Sequence, residues 1–205
     1  MAISTWFDRA IRQDLLCRTD KSYALCDLKE MDYIAEMQFL MPCSAFDIED
    51  FNRLCQKEAL RVFKDCPDKS FIEGMALQKQ IIDGYLNGSL DLVLRFKIDN
   101  EYKYFVLDYK SNYLGSSLSD YRAQNIGRVM FNEHHRYDVQ YLIYTVVLHR
   151  YLKLRLKDYD YDRHMGGVLY LFVRGMGHDN EHGVFHTKVD YDLVLQIEQL
   201  LYPKE

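Results

Sequence analysis

The sequence has no excess of positive charge. Lysine and arginine number 26 against 31 aspartates and glutamates, a formal balance of −5. A protein that grips polyanions over its whole surface is basic, so any nucleic-acid contact here has to be local, or supplied through a metal or a partner. No apolar run approaches the length of a membrane span, and no basic-then-apolar leader opens the chain. Both absences lead to the expectation of a cytoplasmic protein. No C-x-x-C pair occurs. Zinc and iron–sulfur sites need tighter clusters, so Cys17, Cys26, Cys43, Cys55 and Cys66 read as free, mostly buried thiols in a reducing compartment. There is no G-x-x-x-x-G-K-[ST] phosphate loop, so ATP use is not expected of these residues. No histidine precedes His134, and no internal repeat or low-complexity segment is visible.

What is present is an ordinary globular composition: 205 residues, 48% apolar and 28% charged. One domain over residues 1–205 is the expectation for this length. In "STWFDRAIRQDLLC", Phe7, Ala10, Ile11 and Leu15 share a helical stripe. That helix begins almost at Met1, which suggests a C-terminal piece of something longer. "DYIAEMQFLMP" reads as a strand stopped by Pro42. Ser44 and Asp47 have capping-box-like spacing before a helix through Phe51, Leu54 and Cys55, followed by a polar turn at Pro67. Strands are expected over about residues 80–96 and 103–110. Two helices follow, in "SLSDYRAQNIGRVMFNEHHR" and "YDVQYLIYTVVLHRYLKLRL". "GGVLYLFVRG" is the most apolar stretch and should be a central strand, and a last helix is capped by Asp190. This order implies an α/β fold with a mixed sheet flanked by helices.

The chemistry concentrates in "DLVLRFKIDNEYKYFVLDYK". If Asp99 and Asn100 form a two-residue hairpin turn, Asp91 falls opposite Asp108, with Cβ atoms roughly 5 Å apart. Lys110, two residues on, shares their face. The other face pairs Leu92 with Leu107 and Leu94 with Phe105, as a core would. Two ionised carboxylates at that separation raise each other's pKa. A shared proton offsets this, and so does a hard divalent cation with oxygen ligands. A cation, two aspartates and a lysine together suit phosphodiester hydrolysis. The competing reading is a plain Lys110–Asp108 pair on an edge strand.

"GYLNGSLDLVLRF", "YFVLDYKSNYLG", "HRYDVQYLIYTVVLHRYL" and "GGVLYLFVRG", in that order, resemble the nuclease domain of the RecB-type branch of the PD-(D/E)XK nucleases. The likeness is dense over about residues 80–175 and looser elsewhere, including "AEMQFLMP". It implies a restriction-endonuclease-like fold and magnesium-dependent exodeoxyribonuclease activity in double-strand-break repair and recombination. Manganese would substitute, and calcium would bind without supporting cleavage. By this resemblance Asp91 and Asp108 are metal ligands, with the backbone carbonyl of Tyr109 completing the set. Lys110 is the catalytic lysine, and Gln140 and Tyr144 are a Q-x-x-x-Y pair near the DNA. The implied partners are DNA, the RecC and RecD subunits and RecA. Family members also carry a histidine ligand upstream of the strand matching "AEMQFLMP", and this sequence has none there. The rival reading from another class is a non-catalytic docking module for RecA or the sister subunits. A second rival is a stand-alone structure-specific nuclease.

Weaker signals have bland readings. His178, His182 and His186 are spaced like zinc ligands, but Gly177 and Gly183 interrupt any helix there, so a solvated loop is expected. His134 and His135 are expected to end a helix and favour its C-terminal dipole. Arg150, Lys153 and Lys157 are expected on a solvated face, and "KDYDYD" as a protein-contact loop. The cysteine spacing gives a first testable outcome. Thiol titration of the unfolded, unreduced chain should count all five cysteines. Iron or zinc near one equivalent, lost on Cys→Ser substitution, would contradict it.

Overall fold

The computed structural model describes residues 3–66, 68–72 and 75–202. The turn expected at Pro67 and the helix start expected at Met1 lie outside those residues. Five strands form one sheet in the order β1 (Tyr33–Asp47), β2 (Ile81–Ile98), β3 (Glu101–Lys110), β4 (Met165–Phe172), β5 (Val184–Thr187). The β2–β3 and β4–β5 pairs are antiparallel and β3–β4 is parallel. The helices are α1 (Ile3–Arg12), α2 (Ile48–Val62), α3 (Ala123–Met130), α4 (Tyr137–Arg155), α5 (Tyr161–His164) and α6 (Tyr191–Leu201). This is the expected α/β class, a mixed sheet flanked by helices. The chain divides into two compact units: residues 1–37, 90–128 and 163–188, and residues 38–89, 129–162 and 189–205.

The first unit is organised by the β2–β3 hairpin. Asp99 and Asn100 both have positive φ, 49° and 67°, as a type I′ turn demands. The turn fixes the register, which runs from Ile98 opposite Glu101 to Leu92 opposite Leu107. Leu92, Leu94, Phe105 and Leu107 join Leu169, Leu171 and Met176 in one buried cluster, as the alternation requires. Every residue of β4 is buried, as expected of a strand covered on both faces. A Cβ at Gly166 would enter the Phe105 ring, so the strand needs the small residue there. In α1, Trp6 donates from its indole to the Met176 carbonyl at 3.0 Å.

The second unit contains α2, α4 and α6. Phe63, Phe131 and Tyr141 meet edge-on. Glu58, fully buried, accepts a bidentate pair from Arg61 at 2.7 Å and a hydroxyl from Tyr141 at 2.9 Å. Burial pushes the Glu58 carboxyl up, against the pull of Arg61. Arg136 holds Asp138 through two contacts at 2.9 and 3.0 Å.

Several sequence expectations are corrected. Pro42 does not stop β1, which continues to Asp47; β1 is an edge strand, and an edge tolerates a missing N–H. The α1 stripe is only partly buried: Ala10 is buried and Ile11 half-buried, but Phe7 is exposed, and Leu15, though buried, lies beyond the helix. Asp47, and not Ser44, caps α2 by accepting from the Glu49 N–H at 2.7 Å. Asp190 precedes α6 without a side-chain cap. His134 and His135 follow the end of α3 in a turn instead of finishing the helix.

The His178–His186 loop is not simply solvated. His182 is buried against Asp179 at 2.6 Å, and His186 lies in β5 with Nε2 at 3.0 Å from the Gly166 carbonyl. Arg150 is paired with Glu198 at 2.8 Å and stacked on Tyr202, and Lys157 is past the end of α4. The "KDYDYD" tyrosines turn inward, Tyr159 to His149 at 2.9 Å and Tyr161 to the Val189 carbonyl at 2.6 Å. All five cysteines are free, but Cys17 and Cys26 are exposed, so "mostly buried" does not hold.

The turn geometry carries a stability prediction. Asn100→Val puts a β-branched residue at φ 67° and should cost about 1–2 kcal/mol, whereas Asn100→Gly should be neutral or stabilising. Urea unfolding midpoints of the two variants check both signs.

Candidate active site

The β2–β3 ladder stops at Leu92–Leu107, while β3 continues along β4 as far as Lys110. Asp91 and Asp108, the next residues of the hairpin register, therefore sit where the two strands part. In place of a backbone carbonyl, the Asp91 carboxylate takes the following β3 donor: Oδ2 accepts from the Tyr109 N–H at 3.1 Å. The N–H and C=O of a strand residue point toward the same neighbour. The Tyr109 carbonyl is thus turned to the β2 side, with the Asp91 carboxylate.

Asp108 is only 2% exposed. Its neighbour on the same face is Lys110, whose ammonium lies 2.5 Å from Asp108 Oδ2. This ion pair is the charge compensation that Oδ2 receives, and no other donor reaches that oxygen among the described residues. Burial pushes the Asp108 carboxyl above its ordinary range; Lys110 opposes the shift and the nearby charge of Asp91 adds to it. The Lys110 ammonium also stands 5.2 Å over the Tyr170 ring, delivered by the parallel register that sets Asp108 beside Tyr170. The hairpin expected from sequence is present, and Asp91, Asp108, Tyr109 and Lys110 come together in the first unit.

A metal is implied by the family resemblance, and the donor set fits one. A buried carboxylate met by a single lysine, beside a second carboxylate, is an oxygen-donor arrangement that suits a hard divalent cation. Among the described residues no third His, Cys, Asp or Glu side chain joins the pair in a cluster of three.

Gln140 and Tyr144 lie on α4 in the second unit. Gln140 Nε2 donates to the Tyr144 hydroxyl at 3.0 Å, and that hydroxyl donates to the Ser89 carbonyl at 2.9 Å. The i, i+4 spacing brings the two together as expected. Sequence reasoning missed Tyr170, the Tyr109 N–H and the Ser89 carbonyl. The first needed the β3–β4 register, and backbone groups carry no sequence signal.

No protein-family model matches the chain. It is 41% identical over 176 residues to the RecBCD enzyme subunit RecB of Haemophilus influenzae, which covers 85% of this chain and 13% of that protein. It is 33% identical over 201 residues to the Escherichia coli subunit, covering 97% of this chain and 15% of that protein. It is 38% identical over 190 residues to the Mycolicibacterium smegmatis subunit, covering 83% of this chain and 17% of that protein. The chain thus spans 13–17% of the length of these curated relatives.

The protonation of Asp108 is testable without any assumption about turnover. Its carboxyl has a raised pKa in the folded chain, so the folded state holds the proton more tightly than the unfolded state does. The associated stability is fully present below the ordinary aspartate pKa and is lost as pH rises through the folded value. With a chelator present, the unfolding free energy of Asp108→Asn relative to the parent should therefore rise as pH goes from acid to neutral, because the parent must bury a charge that Asn never carries. The gain should fade toward acid, as urea midpoints across pH would show.

Proposed function

This chain belongs with the RecB subunits of RecBCD enzymes, and on that premise we propose that it is a metal-dependent deoxyribonuclease domain acting at Asp91, Asp108 and Lys110. The observation that carries the reading is the buried Asp108–Lys110 pair, set where β2 and β3 part and beside an Asp91 carboxylate fixed by the Tyr109 N–H. A structural ion pair alone would give no reason for a second carboxylate at that point.

Magnesium or manganese would be held by Asp91, Asp108 and the Tyr109 carbonyl, and would supply Lewis acidity toward a water and a phosphate oxygen. The side chains do the rest. Asp91 is oriented by its bond to the Tyr109 N–H, so its second oxygen is left to face a ligand. The Asp108 charge holds the Lys110 ammonium within 2.5 Å, and the Tyr170 ring faces the same cation. Lys110 is only 13% exposed at its side chain, and its charge acts with little screening by water. There it can stabilise negative charge building on a phosphodiester, or pass a proton to or from a water. Gln140 and Tyr144, locked to each other, would position the DNA strand.

The wider role follows by kinship. The domain would trim strands during double-strand-break repair and recombination, in an assembly with RecC and RecD and ahead of RecA loading. Calcium would occupy the site without supporting cleavage.

Calorimetric metal titration together with a nuclease assay tests this. Lys110→Ala should lower cleavage by roughly 10²–10⁴-fold while leaving metal binding nearly intact. Asp108→Ala should remove both. Manganese should support cleavage better than magnesium, because it binds an incomplete oxygen set more tightly. Full-rate cleavage by Lys110→Ala at saturating manganese would make Lys110 structural.

A further inference from the structure

A cavity of about 420 Å³ opens in the first unit, beyond the end of β3. Tyr113, Ser116, Ser117, Tyr121, Arg174 and His178 are among its walls. Among the described residues that line it there is no carboxylate, and Arg174 brings a full positive charge. In a chain whose balance is −5, that is a local basic spot. Tyr113 is 68% exposed, an aromatic ring left in water.

The loop that carries Tyr113 is fixed on several sides. The Leu114 N–H donates to the Tyr121 hydroxyl at 3.1 Å, and Tyr121 is itself buried. Arg174 Nε donates to the Ser111 carbonyl at 2.8 Å. The Asp120 carboxylate accepts from the Ser117 N–H at 2.9 Å. Gly115 has φ 154°, and a Cβ there would run into the Asp120 carboxylate. An exposed ring on a braced loop can bind a flat partner with little cost of ordering.

Tyr113 is three residues beyond Lys110. An extended chain covers at most about 3.6 Å per residue, so the two lie within about 11 Å along the backbone. That is the scale of one or two nucleotides. From these observations we infer that the Tyr113–Arg174 cavity is a single-stranded DNA subsite, with Tyr113 stacking on a base next to the scissile phosphate and Arg174 facing the neighbouring phosphate. Stacking is indifferent to base identity, so the subsite would hold the strand without reading its sequence. This subsite rests on the nuclease reading.

The test is fluorescence anisotropy with a labelled oligo-dT strand in EDTA at low salt, where cleavage is off, on the parent chain, Tyr113→Ala and Tyr113→Trp. The parent should bind. Tyr113→Ala should weaken binding about 5- to 150-fold, the loss of one stacked base, and Tyr113→Trp should restore it. Tyr113 is exposed, so thermal unfolding of the variants should match the parent. Arg174→Met should make the log–log salt dependence shallower by about 0.7 for one phosphate lost. If the parent binds and Tyr113→Ala binds equally well, the subsite is overturned and the nuclease reading stands. If the parent neither binds DNA nor cleaves it with any metal, both are overturned.

Discussion

Asp108 is an acidic side chain held almost wholly out of water, and charge and burial conflict. A carboxylate taken out of water loses its hydration, and a protein interior returns it only through a cation or through donors. Here the return is partial. Lys110 supplies charge to Oδ2 at 2.5 Å, and no other donor reaches that oxygen among the described residues. The neighbouring strands hold that pair in place. β4, buried along its whole length, lies beside it in parallel register and brings the Tyr170 ring under the Lys110 ammonium. The hairpin turn, by fixing the β2–β3 register, sets which side chains face it.

The opening of the β2–β3 ladder is the second half of the same device. A continuous ladder would consume the Tyr109 N–H with a backbone carbonyl. Ending it at Leu92–Leu107 frees that donor for the Asp91 side chain. One strand end thereby positions two carboxylates without any further element. The cost is a local loss of backbone pairing, and the dense apolar face of Leu92, Leu94, Phe105 and Leu107 below it offsets that loss.

The hairpin and its charged face were legible because a two-residue turn leaves no freedom of register. Asp99 and Asn100 tolerate positive φ, and everything from Leu92 to Leu107 follows. The buried strand at "GGVLYLFVRG" was legible from composition alone. Other features depend on tertiary partners that no local pattern encodes. Phe7 sits on an apolar stripe yet is exposed, because α1 docks through Trp6 and Ala10. Four-residue β5 carries histidine and follows a glycine, and its strand character comes from pairing with β4. Tyr159 and Tyr161 stand among aspartates but turn inward to His149 and Val189. Four of the five boundaries between the two units fall inside β1, β2, α3 and α5, where no linker between elements could announce them.

The proline in β1 has a consequence for the protein in a crowded solution. β1 is an outer strand, and Tyr33, Ile34 and Leu40 along it are exposed and apolar. An unbroken edge of that kind is a template for strands of other molecules. Pro42 removes one donor from the row, and the left-handed backbone at Glu36 and Ala45 bends it on either side. The opposite outer strand, β5, is only four residues long. Neither border of the sheet therefore offers a long, flat run of free N–H and C=O groups, so the sheet resists growing by accretion into fibrils.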